Sequence, residues 1–167
     1  GYLVMNDFFL TELMDSLQNV ILEHYGLDPD YEHEAAFLSK SATEVIPWFP
    51  QRSGERAFDN IERCEKLSML TEAILGKDVK SVDCMSMVTK KGRKGQAWNL
   101  DCPSDNPQQS KLNRLVYSMD INEQVGGEVS VIPGSHRLGK LTAGDVNEDL
   151  SEQIILAPKK GTLVIIH

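Results

Sequence analysis

The chain has little cysteine, and what it has is unpatterned. Three cysteines (Cys64, Cys84 and Cys102) are odd in number and widely spaced, with no Cys-x-x-Cys pair among them. That excludes a disulfide framework and a cysteine-based zinc site, and it fits a reducing, cytoplasmic setting. Positive charge is also short. Lys and Arg number 17 against 25 Asp and Glu, a formal net charge of −8. Such a surface argues against nucleic acid and anionic membranes as partners. No apolar run is long enough to cross a bilayer, no signal-peptide pattern opens the chain, and no repeat or low-complexity tract interrupts it. What remains is an ordinary globular composition, 41% hydrophobic and 25% charged over 167 residues. One domain of that length buries roughly 70% of the surface that its unfolded chain exposes.

The first half reads as helical. Leu10, Leu13, Met14, Leu17, Val20, Ile21 and Tyr25 recur at helical spacing, with Gly26 as a stop. Before them, Gly1-Tyr-Leu-Val-Met reads as a strand entering a fold. Residues 27–50 are acidic, then turn-rich through Asp28-Pro29 and Pro47-Trp48-Phe49-Pro50, and are expected to form a long ordered loop. A second helix is expected over 54–75, with Ile61, Leu67, Leu70, Ala73 and Ile74 inward and Gly76 ending it. His24 and His33 are expected to be solvated.

After residue 78 the pattern changes to strands. Val79–Val88 alternates weakly, and Leu112–Met119, Gly127–Ile132, Gln153–Leu156 and Thr162–Ile166 are short β-branched runs between Gly, Pro, Asn and Asp. Helices followed by strands predict an α+β or mainly β domain, with N-terminal helices packed on an antiparallel sandwich or barrel. The chain stops at His167 on the tip of a strand, so the natural protein is expected to be longer and to carry further strands.

Two stretches carry chemistry. Gln96-Ala-Trp-Asn-Leu-Asp-Cys-Pro103 has the form of a metal-binding His-x-Asp turn in which Asn99 stands in the histidine position. In a strand, residues 99 and 101 would point to the same side, as two ligands of one ion must. Non-haem iron oxygenases hold iron(II) with two histidines and one carboxylate on one face, leaving the opposite face open. Gly126-Gly-Glu-Val-Ser-Val-Ile-Pro-Gly-Ser-His136 then supplies a glycine turn, a strand and a tight Pro-Gly turn, and Gly161-Thr-Leu-Val-Ile-Ile-His167 supplies another turn and strand.

The order of these pieces resembles the phytanoyl-CoA dioxygenase family of iron(II)- and 2-oxoglutarate-dependent oxygenases. The opening Gly1-Tyr-Leu-Val-Met-Asn-Asp-Phe-Phe9 is similar to the family's start, and Val131–Arg137 is the most specific element. The resemblance implies a double-stranded β-helix (jelly-roll, cupin-like) core spanning 1–167 as a single domain. Its cofactors would be Fe(II) and 2-oxoglutarate, and molecular oxygen would hydroxylate a small-molecule or acyl-type substrate.

Position by position, the resemblance makes Asp101 the carboxylate ligand and puts Asn99 in the place of the first histidine. That substitution is a departure from the family, because an amide oxygen is a poorer donor to iron(II) than imidazole. The family's distal histidine and its 2-oxoglutarate-binding arginine would lie beyond His167. His167 is a further candidate ligand, at a position where the family often has a non-ligating residue. Pro133, Gly134, Ser135 and His136 form a structural turn in this reading, with His136 also weighed as a ligand. Met87, Lys90, Arg114 and Tyr117 are candidates for binding 2-oxoglutarate. Against that role, Met85 and Met87 suit core packing at alternate positions, and Arg114 suits an exposed strand cation. Lys90–Lys94 suits a solvated hairpin loop, and Cys102 suits a packed thiol. Asn99 also supports an alternative: a catalytically impaired jelly-roll module that binds a small molecule or partner without turnover.

Overall fold

The computed structural model describes residues 1–26, 45–89, 92, 95–100, 110–137 and 149–167. Those residues form three helices and seven short strands. The first strand, β1 (Tyr2–Met5), leads into helix α1 (Thr11–Gly26). Strand β2 (Ile46–Trp48) and a 3₁₀ turn at Pro50–Ser53 precede α2 (Asp59–Glu62) and α3 (Glu65–Leu75). Five strands follow: β3 (Ser86–Val88), β4 (Asn113–Val116), β5 (Val129–Val131), β6 (Ile154–Leu156) and β7 (Leu163–Ile166).

Among the described residues, all strand pairing is antiparallel. β7 lies between β1 and β4 in a three-stranded sheet, while β2–β3 and β5–β6 form two-stranded ribbons. No closed barrel is present among the described residues. No described helix is long and apolar enough to cross a membrane.

α1 forms where helical spacing predicted it. Glu12 in its first turn and His24 in its last complement the helix dipole. Met14 and Leu17 are buried, and Leu13, Val20 and Ile21 pack around them, whereas Leu10 is 75% exposed. The helix expected over 54–75 is broken into α2 and α3. Gly54 takes a left-handed conformation that ends the 3₁₀ turn, and Cys64 is extended (ψ 110°), so one continuous helix is not possible. The inward set changes with the break. Ile61 and Leu67 are buried and Leu70 half-buried, but Ala73 and Ile74 are exposed and Thr71 takes the inner position. Its hydroxyl donates to the Leu67 carbonyl at 2.6 Å, which satisfies the buried oxygen.

The strands are shorter than their β-branched runs. Only 86–88 of the expected Val79–Val88 strand pairs, and only 113–116 of Leu112–Met119. β7 is the exception in its burial. Leu163, Val164 and Ile165 are all buried, as expected of a central strand covered on both faces. Leu163 and Ile165 join Phe9, Met14, Leu17, Phe58, Ile61 and Leu67 in one apolar cluster.

Gly161 sets the entry to β7. Its φ is +83°, its carbonyl accepts the Phe9 N–H at 3.0 Å, and its own N–H donates to the Tyr117 carbonyl at 2.9 Å. A Cβ there would stand 2.6 Å from the Phe9 carbonyl oxygen, inside contact distance. Gly161→Ala should therefore cost about 3 kcal/mol, combining a positive-φ penalty with displacement of backbone. Denaturant unfolding checks this, and a loss within 0.5 kcal/mol or so of zero would show that the Phe9 contact is dispensable.

Candidate functional site

The described residues singled out by sequence lie in three main places, with Met87 on the separate β2–β3 ribbon. The first is the segment 95–100, which carries Asn99 and has no regular secondary structure. The strand geometry expected to align positions 99 and 101 is absent at 99. Asn99 is exposed, and its Nδ2 donates to the Ala97 carbonyl at 3.2 Å. The amide is thereby oriented, and Oδ1 is the atom left for a ligand. Trp98 beside it is half-buried. Asp101, Cys102 and Pro103 lie outside the described residues, as do His33, Lys90, Lys91, Arg93 and Lys94.

The second place is the helix-facing side of the main sheet. Arg114 is paired in register with Ile165, which belongs to the apolar cluster under the helices. Cross-strand partners share a face, so Arg114 points towards the helical layer. It is half-buried there, not the exposed cation expected of it. Its guanidinium lies 3.8 Å from Glu62 of α2 and donates to Ser81 Oγ at 3.4 Å. Tyr117 is three residues on, where its backbone continues the ladder to Thr162 and Gly161. Alternation along the strand puts its side chain on the opposite face. Arg114 and Tyr117 thus lie on opposite faces of one strand and do not line a common cavity. Burial pushes the Tyr117 phenol up to about 12, so it holds its proton and can donate a hydrogen bond.

Cys84 borders the Arg114–Glu62 pair. Burial, followed by the Glu62 carboxylate, raises its thiol to about 11, with Arg114 opposing and Asp83 adding to the rise. Asp83 in turn receives both of its carboxylate contacts from Arg52, at 2.7 Å each, and the Arg52 guanidinium sits 4.1 Å over the Phe49 ring. None of Glu62, Ser81 or Asp83 carries a sequence signal, because the grouping arises only when α2 packs on β4.

Met87 of β3 and Met85 just before it depart from the core-packing expectation. Met85 and Met87 are 41% and 40% exposed, and the residue buried on that strand is Ser86. β2 and β3 are held to α1 by Tyr25, whose hydroxyl lies 3.0 Å from the Ile46 carbonyl and 3.3 Å from that of Ser86. His24, expected to be solvated, stacks on Trp48 with ring centroids 3.8 Å apart and planes within 8°. Because Tyr25 and Trp48 fix the inner side of this ribbon, the methionines are left facing outward.

The third place is the junction of β5 and β7. The turn Pro133–Gly134 leads into a 3₁₀ turn at Ser135–Arg137, and Gly134 has the positive φ (79°) that such a turn requires. His136 projects from this turn, and its ring centroid lies 5.8 Å from that of His167 at the end of β7. Both side chains are exposed. Local desolvation, the chain's amino group, Arg137 and His167 all hold the His136 imidazole below its ordinary value.

Among the described residues, no three histidine, cysteine or acidic side chains stand together as a metal site. The described donors Asn99 and His167 do not by themselves form the two-histidine, one-carboxylate face of an iron oxygenase. No protein-family model and no curated protein matches the chain.

The raised Cys84 value sets a direction for pH. Its protonated thiol is favoured in the folded state, so this contribution to stability is present below pH 9 and is lost as pH rises towards 11. At pH 8, alkylation of Cys84 by iodoacetamide should run on the order of tenfold or more slower than that of an unperturbed thiol. Glu62→Gln should speed that reaction and Arg114→Gln should slow it, as read by peptide mass spectrometry. The reverse order would remove these two charges from the account of Cys84.

Proposed function

We propose that this chain is an oxygenase scaffold of the phytanoyl-CoA dioxygenase kind, built to act with iron(II), 2-oxoglutarate and molecular oxygen on a small-molecule or acyl-type substrate. The observation that supports this reading is the meeting of Pro133–His136 with the end of β7 at His167. Two of the segments that carry the resemblance, remote in sequence, are neighbours in the fold. A bound iron would supply the oxidising chemistry. In this reading Asp101 provides the carboxylate donor, and Asn99 presents Oδ1 as a neutral donor because its Nδ2 is engaged by Ala97. Tyr117, protonated at any working pH, would serve as a hydrogen-bond donor on the sheet face turned away from the helices.

A second reading is favoured by one specific feature. Asn99 is exposed, lies in an irregular segment and offers only an amide oxygen, a weak donor to iron(II). With that donor the same scaffold is a module that binds a small molecule or partner without turnover.

Anaerobic titration with iron(II) and 2-oxoglutarate separates the two. The oxygenase reading expects a weak visible charge-transfer absorbance in the parent chain. It also expects Asn99→His to tighten iron binding by on the order of tenfold or more, and Asp101→Ala to abolish it. If the parent chain takes up 2-oxoglutarate without iron, the non-catalytic module is the better account. If the parent and Asn99→His both ignore iron, the site assignment at Asp101 fails.

A further inference from the structure

The His136–His167 pair engages no carboxylate among the contacts described for it. The two imidazoles come from separate parts of the fold, one from the 3₁₀ turn that follows β5 and one from the end of the central strand β7. Their ring centroids are 5.8 Å apart and their planes are inclined at 81°. We propose that these two histidines form a binding site for a borderline divalent transition-metal ion such as nickel or zinc, which clips the turn after β5 to the end of β7.

The spacing carries the argument. A metal–imidazole bond of about 2.0–2.1 Å places two rings on one ion with centroids roughly 4.5–6.5 Å apart, depending on the ligand–metal–ligand angle. The observed separation falls inside that range. As they stand the rings meet edge to face, so each must rotate about χ2 for a nitrogen of both to reach one ion. That torsion is broad for histidine, and both side chains are exposed and free to turn. Imidazole is a preferred donor for nickel and zinc, and exposure leaves the other coordination positions to water. The amino group of Gly1 and then Arg137 weaken the site by charge repulsion, which makes it a moderate-affinity clip and not a closed structural centre.

Such a clip joins residues far apart in sequence. It would bind only the folded chain tightly, so the metal should raise the melting temperature. The test is calorimetric titration of nickel(II) alone into the intact chain in a non-chelating buffer, paired with thermal unfolding. One ion should bind per chain and raise the melting temperature. His136→Gln and His167→Gln should each weaken binding by on the order of tenfold or more and remove the thermal shift, while far-UV circular dichroism stays that of the parent. Both variants keep every cysteine, so the loss reports imidazole ligation alone. Unchanged binding and an unchanged thermal shift in either histidine variant overturn the proposal.

Discussion

The architecture depends on the antiparallel pairing of β7 with strands from remote parts of the chain. β7 takes β1 on one side and β4 on the other, so the opening residues of the chain pair with its closing ones, Tyr2 with Ile166 and Met5 with Leu163. Closing so long a loop is entropically costly, though the cost grows only slowly with length. It is offset where the closing strand buries apolar side chains on both faces, as Leu163, Val164 and Ile165 do. Gly161 then fixes where β7 begins, because it alone permits the Phe9 carbonyl to approach so closely. Helix α1 is carried onto the sheet by that same contact, since Phe9 directly precedes it and packs in the cluster with Met14 and Leu17. Folding that relies on such non-local pairing should be slow relative to a helical protein of this size.

Secondary anchors tie the remaining pieces to this frame, and all of them are polar or aromatic contacts between elements. Tyr25 fastens the β2–β3 ribbon to the end of α1 through two carbonyls. His24 and Trp48 stack at the same corner, and the Trp48 indole donates to Ser53 in the following turn. Lys160, just before the Gly161 lock, is joined to Asp15 of α1 by its side chain and to Asp120 by its backbone. An ion pair of this kind contributes little by itself when exposed. Its effect here is positional, because it aligns α1 over the strand that the helix must cover.

The parts legible in the sequence were those dictated by one periodic signal. α1 follows from its helical stripe, β1 from the apolar run that opens the chain, β7 from a β-branched run after a turn, and the turn at Pro133–Gly134 from its own dipeptide. The parts that were not legible depend on contacts between distant segments. The break between α2 and α3 reflects the extended Cys64, in a stretch whose apolar spacing suits one helix. Met85 and Met87 alternate as core residues should, yet the ribbon's inner side is already occupied through Tyr25, so they face outward. Arg114 could not be assigned a face from its own strand, because the direction is set by which side of β7 the helices cover.

The candidate site was legible as a set of residue types and much less as a place. Among the described residues, none of those weighed as iron donors belongs to the apolar cluster that holds the fold together. Asn99 sits in an irregular, exposed segment, and His167 sits exposed at a strand end. Donors held this way contribute little to stability, so an exchange of histidine for asparagine at position 99 would leave the frame intact while changing what the site can bind. A scaffold built so can keep its sheet, its Gly161 lock and its Pro133–His136 turn through changes that abolish metal chemistry. Resemblance carried by those scaffold residues therefore speaks first to architecture. Any claim about turnover has to rest on the donors at positions 99 and 101 themselves.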